Sequence, residues 1–398
     1  MDDNASTVTR SGFRIGRVRG IPVMISPSWL ILAVLITVVY SDVVRALLPG
    51  YSDAIVYLVS FGFVVTLCGS VFLHELGHAL VSLHYGIPVR RITLEMLGGH
   101  TEMSTEADRP KVEALIALAG PAVSAVLGVI GIGALALTEP GTLPGQFAFQ
   151  IAVCNVLVAI YNALPGLPLD GGRALRAGVW AVTGDRHAAS RIAGWTGRVV
   201  AAATGLLGVT LFYLGWLSLI GVIFTVLIAG VLWVGATRSI QLGQLGSRFH
   251  LLDTASLMRP VVEVPGDTPL AEALRRMKED DAGGVVVVDA SGNPVSLLHS
   301  EAAEAVPAGR RPWIPVADVS RAIDERNSWP LGLRGEDVIA AMREHPSTEY
   351  AVLSGPSVRG VVRMADVADA LDPRLPAPAP RRARPADGAP TDDQKDTD

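Results

Sequence analysis

The sequence predicts a polytopic α-helical membrane protein of about six transmembrane helices with short membrane-associated β-hairpins, followed by an α+β domain. Half of its 398 residues are hydrophobic, which is too apolar for an ordinary soluble protein of this length. The apolar residues are concentrated before residue 240, and the composition turns polar from about residue 252. The chain is long enough for two such domains.

Four segments follow from this distribution. Residues 1–28 form a polar, basic N-terminal segment with a short hairpin, and residues 29–236 form the membrane domain. Residues 252–372 form the polar domain. Residues 373–398 contain mostly Pro, Ala, Arg and Asp, so we expect a disordered tail.

Runs of apolar residues define the predicted spans. The first is the weakest, because Asp42 and Arg45 interrupt it. In the third, Gly120-Pro121 marks either a close approach of two helices or a kink. The six spans lie at about residues 29–48, 54–84, 112–137, 146–164, 198–214 and 216–234.

Two short hairpins accompany the spans. Apolar residues alternate with others on both sides of Arg19-Gly20, which predicts a hairpin before the first span. A second predicted hairpin covers residues 91–103, where alternating apolar side chains lead to a turn at Gly98-Gly99.

The charge distribution bears on partners and orientation. The formal net charge is −5, which argues against a nucleic-acid partner. Basic residues collect in the loops on one side of the predicted bilayer, whereas Arg45 alone lies on the other, so both termini should be cytoplasmic. Cys68 and Cys154 both lie inside apolar runs and are expected to be small core residues.

The most informative motif is His74-Glu75-x-x-His78 within the second apolar run. Residues four apart lie one turn above each other on a helix, so the two imidazoles can bind one zinc ion. Glu75 borders the same face and is placed to accept a proton from a metal-bound water. Ionisable groups at membrane depth are costly, which favours a function over chance packing.

A catalytic zinc usually takes three protein ligands, and Asp170 is the best candidate for the third. It follows the fourth span in a segment rich in Gly and Pro, where the backbone can bring a carboxylate back toward another helix. The alternative is an aspartate that caps the helix beginning near Gly172.

The two motifs together resemble the site-2 protease family of intramembrane zinc metalloproteases, in particular the branch of prokaryotic enzymes that includes the sporulation protease. The resemblance covers roughly the first 235 residues. Besides the histidine motif it rests on Gly20-Ile21-Pro22-Val23, Gly98-Gly99, Gly120-Pro121 and Asn162-x-x-Pro165-x-x-x-Leu169-Asp170-Gly171-Gly172.

The resemblance implies that one Zn²⁺ is bound by His74, His78 and Asp170, that Glu75 is the general base, and that Asn162 stabilises the oxyanion. For Asn162, hydrogen bonding that ties down the broken helix is an alternative role. The implied substrate is a transmembrane protein in the lipid bilayer of the plasma membrane, cut near the cytoplasmic side.

A helical substrate must unwind before it can be cut. The second hairpin offers an edge strand that would hold the unwound segment by β-augmentation. The residues expected to present substrate are Ile92, Leu94, Met96, Gly98 and Gly99.

The polar domain contains an internal repeat with an offset of about 65 residues. Each copy is predicted as strand, helix, strand, strand, helix, and this resembles a tandem pair of cystathionine-β-synthase (CBS) motifs. The resemblance implies regulation, dimerisation of the chain and an adenine nucleotide whose ribose contacts Asp366, with Ser300 in the equivalent place of the first copy. A purely structural pair is the alternative.

A second class of function stays open at this stage. CBS pairs also occur on transporters and channels, where a buried His/Glu/Asp group would form an ion path. The two classes differ in chemistry, because a protease needs Glu75 as base and a zinc with an open position.

Overall fold

The computed structural model describes residues 12–95, 98–372 and 374. The chain divides into two compact units, residues 1–243 and 244–398. Met96 and, apart from residue 374, the predicted tail at 373–398 lie outside the described residues.

The first unit is mainly helical. Six of its helices, all except α5, are long and apolar enough to cross a membrane, which confirms the predicted number of spans. The helices are α1 (Pro27–Leu47), α2 (Asp53–His84), α3 (Pro110–Ala136), α4 (Leu143–Ala163), α5 (Asp170–Thr183), α6 (Arg186–Tyr213) and α7 (Leu219–Gly246).

Helices α6 and α7 are longer than the predicted runs at 198–214 and 216–234. The side chain of Asp185 accepts hydrogen bonds from the first backbone N–H groups of α6, so that helix begins with a polar capped turn. Hydropathy detects only the apolar part of a helix, which is why both predictions were too short at their polar ends.

Four strands form one sheet in the order β1-β2-β3-β4, with β2 and β3 parallel and the other pairs antiparallel. Both predicted hairpins are present, and positive φ angles at Arg19 and Gly20 make the turn of the first one. Gly98 and Gly99 are not the turn of the second hairpin, because they begin its second strand. The strands are β1 (Phe13–Val18), β2 (Ile21–Ile25), β3 (Val89–Glu95) and β4 (Gly98–Met103).

Helix α3 lies at the centre of the unit and contacts α2, α4 and α5. It continues through Pro121, and a Cβ added at Gly120 would lie within 3 Å of two side chains of α2, so Gly120 is a point of close approach as predicted. Small residues let α4 come near: a Cβ added at Gly131 would lie 2.5 Å from the backbone nitrogen of Ala152. Such contacts are typical of helix packing in membranes, where no hydrophobic effect drives helices together.

The second unit contains the predicted repeat. The first copy is β5 (Val261–Pro265), α9 (Leu270–Glu279), β6 (Gly284–Val288), β7 (Pro294–Leu298) and α10 (Ser300–Ala305), preceded by α8 (Thr254–Leu257). After β8 (Ser320–Ala322), the second copy is β9 (Ser328–Pro330), α11 (Glu336–Glu344), β10 (Glu349–Ser354), β11 (Ser357–Arg363) and α12 (Met364–Leu371).

The two copies pack through their sheets, whose orders are β5-β6-β7-β8 and β11-β10-β9. A shared apolar cluster includes Val286 and Leu297 from the first copy and Ala351 and Val361 from the second. Burial of these side chains against each other stabilises the packing of the two copies.

Candidate metal centre and catalytic site

The two histidines of the motif are buried on the face of α2 that packs against α3. His74 Nδ1 is hydrogen-bonded to Ser124 Oγ at 3.0 Å, and His78 Nδ1 lies 2.7 Å from the carbonyl oxygen of Ile116. A carbonyl only accepts, so Nδ1 of His78 carries a proton and donates it. Both contacts turn the Nε2 atoms of the rings toward each other.

Asp170, the first residue of α5, brings its carboxylate to the same point. Its Oδ2 lies 2.9 Å from His74 Nε2 and 3.1 Å from His78 Nε2, and the two Nε2 atoms are 3.2 Å apart. Leu169, and not Asp170, is the N-cap of α5. The geometry therefore favours Asp170 as a metal ligand over Asp170 as a helix cap. With its Nδ1 proton donated to Ile116, His78 is held in the orientation in which Nε2 of a neutral ring would be the metal-binding atom.

This donor set fits a zinc ion. Two imidazole nitrogens and a carboxylate oxygen are typical zinc ligands, and Zn–N and Zn–O lengths near 2.0–2.2 Å put tetrahedral ligand atoms about 3.3 Å apart. The observed spacings of 2.9–3.2 Å are close to that value. The hydrogen bonds at both Nδ1 atoms supply the outer support that zinc-binding histidines commonly have.

Two glycines, Gly120 and Gly171, make room for the centre at points where a larger residue would not fit. A Cβ added at Gly120 of α3 would lie 2.3 Å from His78 Nε2 and 2.6 Å from His74 Nε2, so only glycine leaves space for both rings. A Cβ at Gly171, next to Asp170, would lie 2.3 Å from the carbonyl oxygen of Ala163. The glycine after Asp170 therefore lets α5 begin directly against the end of α4.

Glu75 is held by the second hairpin. Thr101 Oγ1 in β4 donates a hydrogen bond of 2.6 Å to Glu75 Oε2 and also lies 3.1 Å from the Glu75 backbone carbonyl oxygen. A Cβ at Gly99 would lie 2.3 Å from Glu75 Cγ. Strand β4 thus packs directly on the glutamate and fixes the direction of its carboxylate.

A cavity of about 750 Å³ opens beside these groups. His74, Glu75, Asp170 and Asn162 contribute to its wall, together with Gly98 and Gly99. Most other lining residues are apolar; those from α1 and α7 include Trp29, Leu32, Leu35, Phe224, Ile228 and Val231. Within the described residues the Asn162 side chain has no hydrogen-bonding partner, which favours a role toward a ligand over the alternative of tying down the helix.

The side chains of Ile92 and Leu94 are buried in a cluster with Ile21 and Ala79, although Leu94 also contributes to the cavity wall, so their role in presenting substrate stays a prediction. Their strand, β3, is also paired on both sides. The edge of the described sheet on this side is β4, which begins with Gly98 and Gly99. An added strand would pair there.

Sequence reasoning did not identify Thr101, Ser124 or the Ile116 carbonyl as parts of the site. Each contacts its partner across the fold, 26 to 50 residues away in sequence. No spacing rule connects such residues, because the contacts depend on how the hairpin and α3 pack on α2.

In the second unit, Asp366 is engaged by Arg259. Arg259 Nε donates to both carboxylate oxygens at 3.1 and 2.9 Å, and the hydrogen bond to Asp366 raises the pKa of Arg259 above its ordinary value. Helices α10 and α12 follow equivalent caps, His299 and Arg363. Asp366, the third residue of α12, therefore corresponds to Ala302 and not to Ser300.

Comparison with known proteins agrees with these observations. The model of peptidase family M50 matches residues 62–150 and 141–207, and the CBS domain model matches residues 255–302. Rip3 of Mycobacterium tuberculosis, named a zinc metalloprotease, is 30% identical over 385 residues, covering 93% of this chain and 96% of Rip3. The protein sll0528 of Synechocystis, also named a zinc metalloprotease, is 30% identical over 316 residues, covering 77% of this chain and 81% of that protein.

Among solved structures, the site-2 protease from Methanocaldococcus jannaschii is 24% identical, with a TM-score of 0.41, and the match covers 57% of this chain and 95% of that one. The decisive likeness is to Rip3, because it extends over nearly the full length of both chains. It joins the membrane unit that carries the histidine motif to the CBS unit behind it. This multi-pass membrane protein therefore belongs to the site-2 protease family, peptidase family M50, whose members are zinc metalloproteases, and it carries a CBS domain.

Proposed function

We propose that this chain is a zinc-dependent intramembrane endopeptidase that cuts a membrane-spanning substrate protein close to the cytoplasmic side. The observation that carries the proposal is the convergence of ligand atoms of His74, His78 and Asp170 within 3.2 Å of one another. His74 and Asp170 contribute, with Glu75, to the wall of a mainly apolar cavity. Membership of a peptidase family supports hydrolysis over the alternative of a CBS-gated transporter or channel.

In this proposal His74, His78 and Asp170 hold the zinc. When bound, zinc supplies a Lewis acid that acidifies a water and polarises a peptide carbonyl. Glu75 accepts the proton of the attacking water and returns it to the leaving amine, as a general base and then a general acid. Thr101 keeps the carboxylate aimed at the cavity while this happens.

Asn162 is the proposed oxyanion donor. Its side chain lies in the cavity wall with the catalytic groups, and an amide N–H can stabilise negative charge as it develops on the carbonyl oxygen. Because the cavity is lined mainly by apolar residues, little water competes with this donor for the carbonyl oxygen, and the interaction is stronger than it would be in bulk water.

The substrate segment is proposed to pair with β4. An unwound peptide exposes N–H and C=O groups that are costly in an apolar cavity unless they are paired. The edge of β4 offers partners for them, and nothing lies within 4 Å of a Cβ added at Gly98, which leaves room there for a second backbone. A strand added there would lie next to Glu75, which β4 contacts through Thr101.

The proposed orientation has both ends of the membrane unit in the cytoplasm. Basic residues concentrate on the side of the termini. His78 lies six residues before the end of α2 at His84, or about 9 Å along the helix. The cut would then fall near the cytoplasmic surface and release a cytoplasmic fragment of the substrate.

For the CBS unit we propose regulation of the protease and association into a homodimer. The implied contact of an adenine-nucleotide ribose with Asp366 does not fit, because that carboxylate is buried and paired with Arg259. No step of the proposal therefore depends on a nucleotide at Asp366. Titration of the full-length protein with adenine nucleotides, with the dimer followed by mass, tests both parts.

The central experiment is cleavage of single-span substrate proteins in proteoliposomes by wild type and by Glu75→Gln at equal zinc content. Glu75→Gln keeps the size of the side chain and leaves all three ligands in place, so it should bind zinc and not cut. Glu139→Gln, a surface change in the loop between α3 and α4, is the matched control and should cut normally. Equal cleavage by wild type and Glu75→Gln would refute the mechanism.

A further inference from the structure

One face of α3 contacts every proposed zinc ligand or the helix that carries it. Ile116 accepts the hydrogen bond of His78, and Ser124 bonds to His74. Gly120, between them, leaves the space in which the two rings meet. One turn before Ile116, the same face presents Glu113, which is 2% exposed and therefore a charge buried inside the protein.

Glu113 forms an ion pair with Arg176 of α5. Arg176 Nε donates to Glu113 Oε1 at 2.7 Å, and its Nη2 contacts the same oxygen. The Arg176 side chain is about one-fifth exposed. A buried ion pair of this kind adds little net stability compared with apolar residues, but removal of one partner leaves a costly unpaired charge. Because the pair joins the two helices that carry Gly120 and Asp170, it points to a role in geometry.

We infer that the Glu113–Arg176 ion pair positions Asp170. This inference rests on the zinc site proposed above. Asp170 is the first residue of α5, and Arg176 lies six residues later in the same helix, about 9 Å along its axis. A helix is stiff over this distance. The pair therefore fixes the rotation of α5 against α3, and with it the direction of the Asp170 carboxylate.

The position of the Asp170 carboxylate is sensitive to the rotation of α5. The Asp170 oxygen lies at a radius of about 5 Å from the axis of α5, so a rotation of 10° moves it by about 0.9 Å. Metal ligands tolerate deviations of about 0.2 Å. Both histidines are fixed on α3 by direct hydrogen bonds to Nδ1, whereas Asp170 depends on the placement of its helix. The ion pair attaches α5 to α3, the same helix to which both histidines are hydrogen-bonded.

The test measures zinc release from the purified full-length protein to a chromophoric chelator, together with thermal unfolding. The variants are Arg176→Met, Glu113→Gln, Arg176→Lys and the double variant Glu113→Gln/Arg176→Met. Glu106→Gln is the control, because Glu106 pairs with Arg186 at the surface, outside the site. The single variants that break the pair should release zinc 10- to 100-fold faster, as expected for supports of metal ligands.

Two comparisons separate positioning from general stability. Arg176→Lys keeps the charge and one donor, so its release rate should be intermediate. The double variant leaves no unpaired buried charge and should recover thermal stability, yet its zinc release should stay fast. Wild-type release rates in the folded double variant would overturn the inference. Failure of the wild type to bind zinc would instead refute the proposed function, so the two failures are distinguishable.

Discussion

Gly120→Ala gives the sharpest test of how the metal centre is built. The new Cβ would lie 2.3 Å from His78 Nε2 and 2.6 Å from His74 Nε2, whereas an ordinary contact needs about 3.5 Å. One or both rings must therefore move by about 1 Å, or α3 must move away. Since metal ligands tolerate only about 0.2 Å, we expect zinc affinity to fall by more than about 100-fold, beyond the range for a lost supporting contact.

The assay is competition for zinc between the protein and a chelator of known affinity, with metal content measured on the same samples. Overpacking of this kind costs about 1–3 kcal/mol of stability, so thermal unfolding must be measured as well. Gly133→Ala is the matched control on α3, because nothing lies within 4 Å of its added Cβ. Wild-type zinc affinity in Gly120→Ala would refute the derived geometry. Equal loss in Gly133→Ala would assign the effect to the helix and not to the rings.

Three further predictions follow. Thr101→Val removes the O–H that holds Glu75 and should lower kcat by about 10- to 100-fold at unchanged zinc content; reduced zinc content with normal kcat per zinc would contradict it. Asn162→Ala should lower kcat by about 100-fold or more with little change in KM if the amide stabilises the oxyanion, whereas loss of folded protein would support the tying role. Arg259→Met removes the guanidinium that donates to the buried Asp366 carboxylate, so the CBS unit should unfold at lower temperature, as followed by calorimetry of the full chain; an unchanged transition would show that the pair is not structural.

The sequence singles out His74, Glu75 and His78 because their spacing on a helix is a local signal. The Gly- and Pro-rich segment after α4 makes Asp170 a candidate, but only the resemblance to the site-2 protease family favours it over a helix cap. The role of Thr101 could not be predicted in this way, since it depends on the packing of β4 against α2. The turn position was misjudged for a related reason: glycine favours turns, but at Gly99 it is needed because the Glu75 side chain passes closely over the strand.

In the second unit the order of elements was predicted and the register was not. Repetition of strand and helix patterns fixes which elements occur, but a shift of two residues between copies changes which side chain faces a ligand site. Only the caps at His299 and Arg363 align Asp366 with Ala302. The ion pair between Arg259 and Asp366 joins residues 107 apart in sequence and gives no local signal.

The parallel pairing of β2 with β3 also constrains how the protein is made. Residues 12–25 leave the ribosome before α1 and α2, whereas β3 and β4 follow them. The two halves of the sheet can meet only after α1 and α2 have entered the bilayer as a pair and returned the chain to its starting side. Formation of the sheet, and with it the contact of Thr101 with Glu75, is thus restricted to chains whose first two helices have inserted correctly. A misinserted chain would keep its zinc motif but would lack the Thr101 hydrogen bond that aligns Glu75.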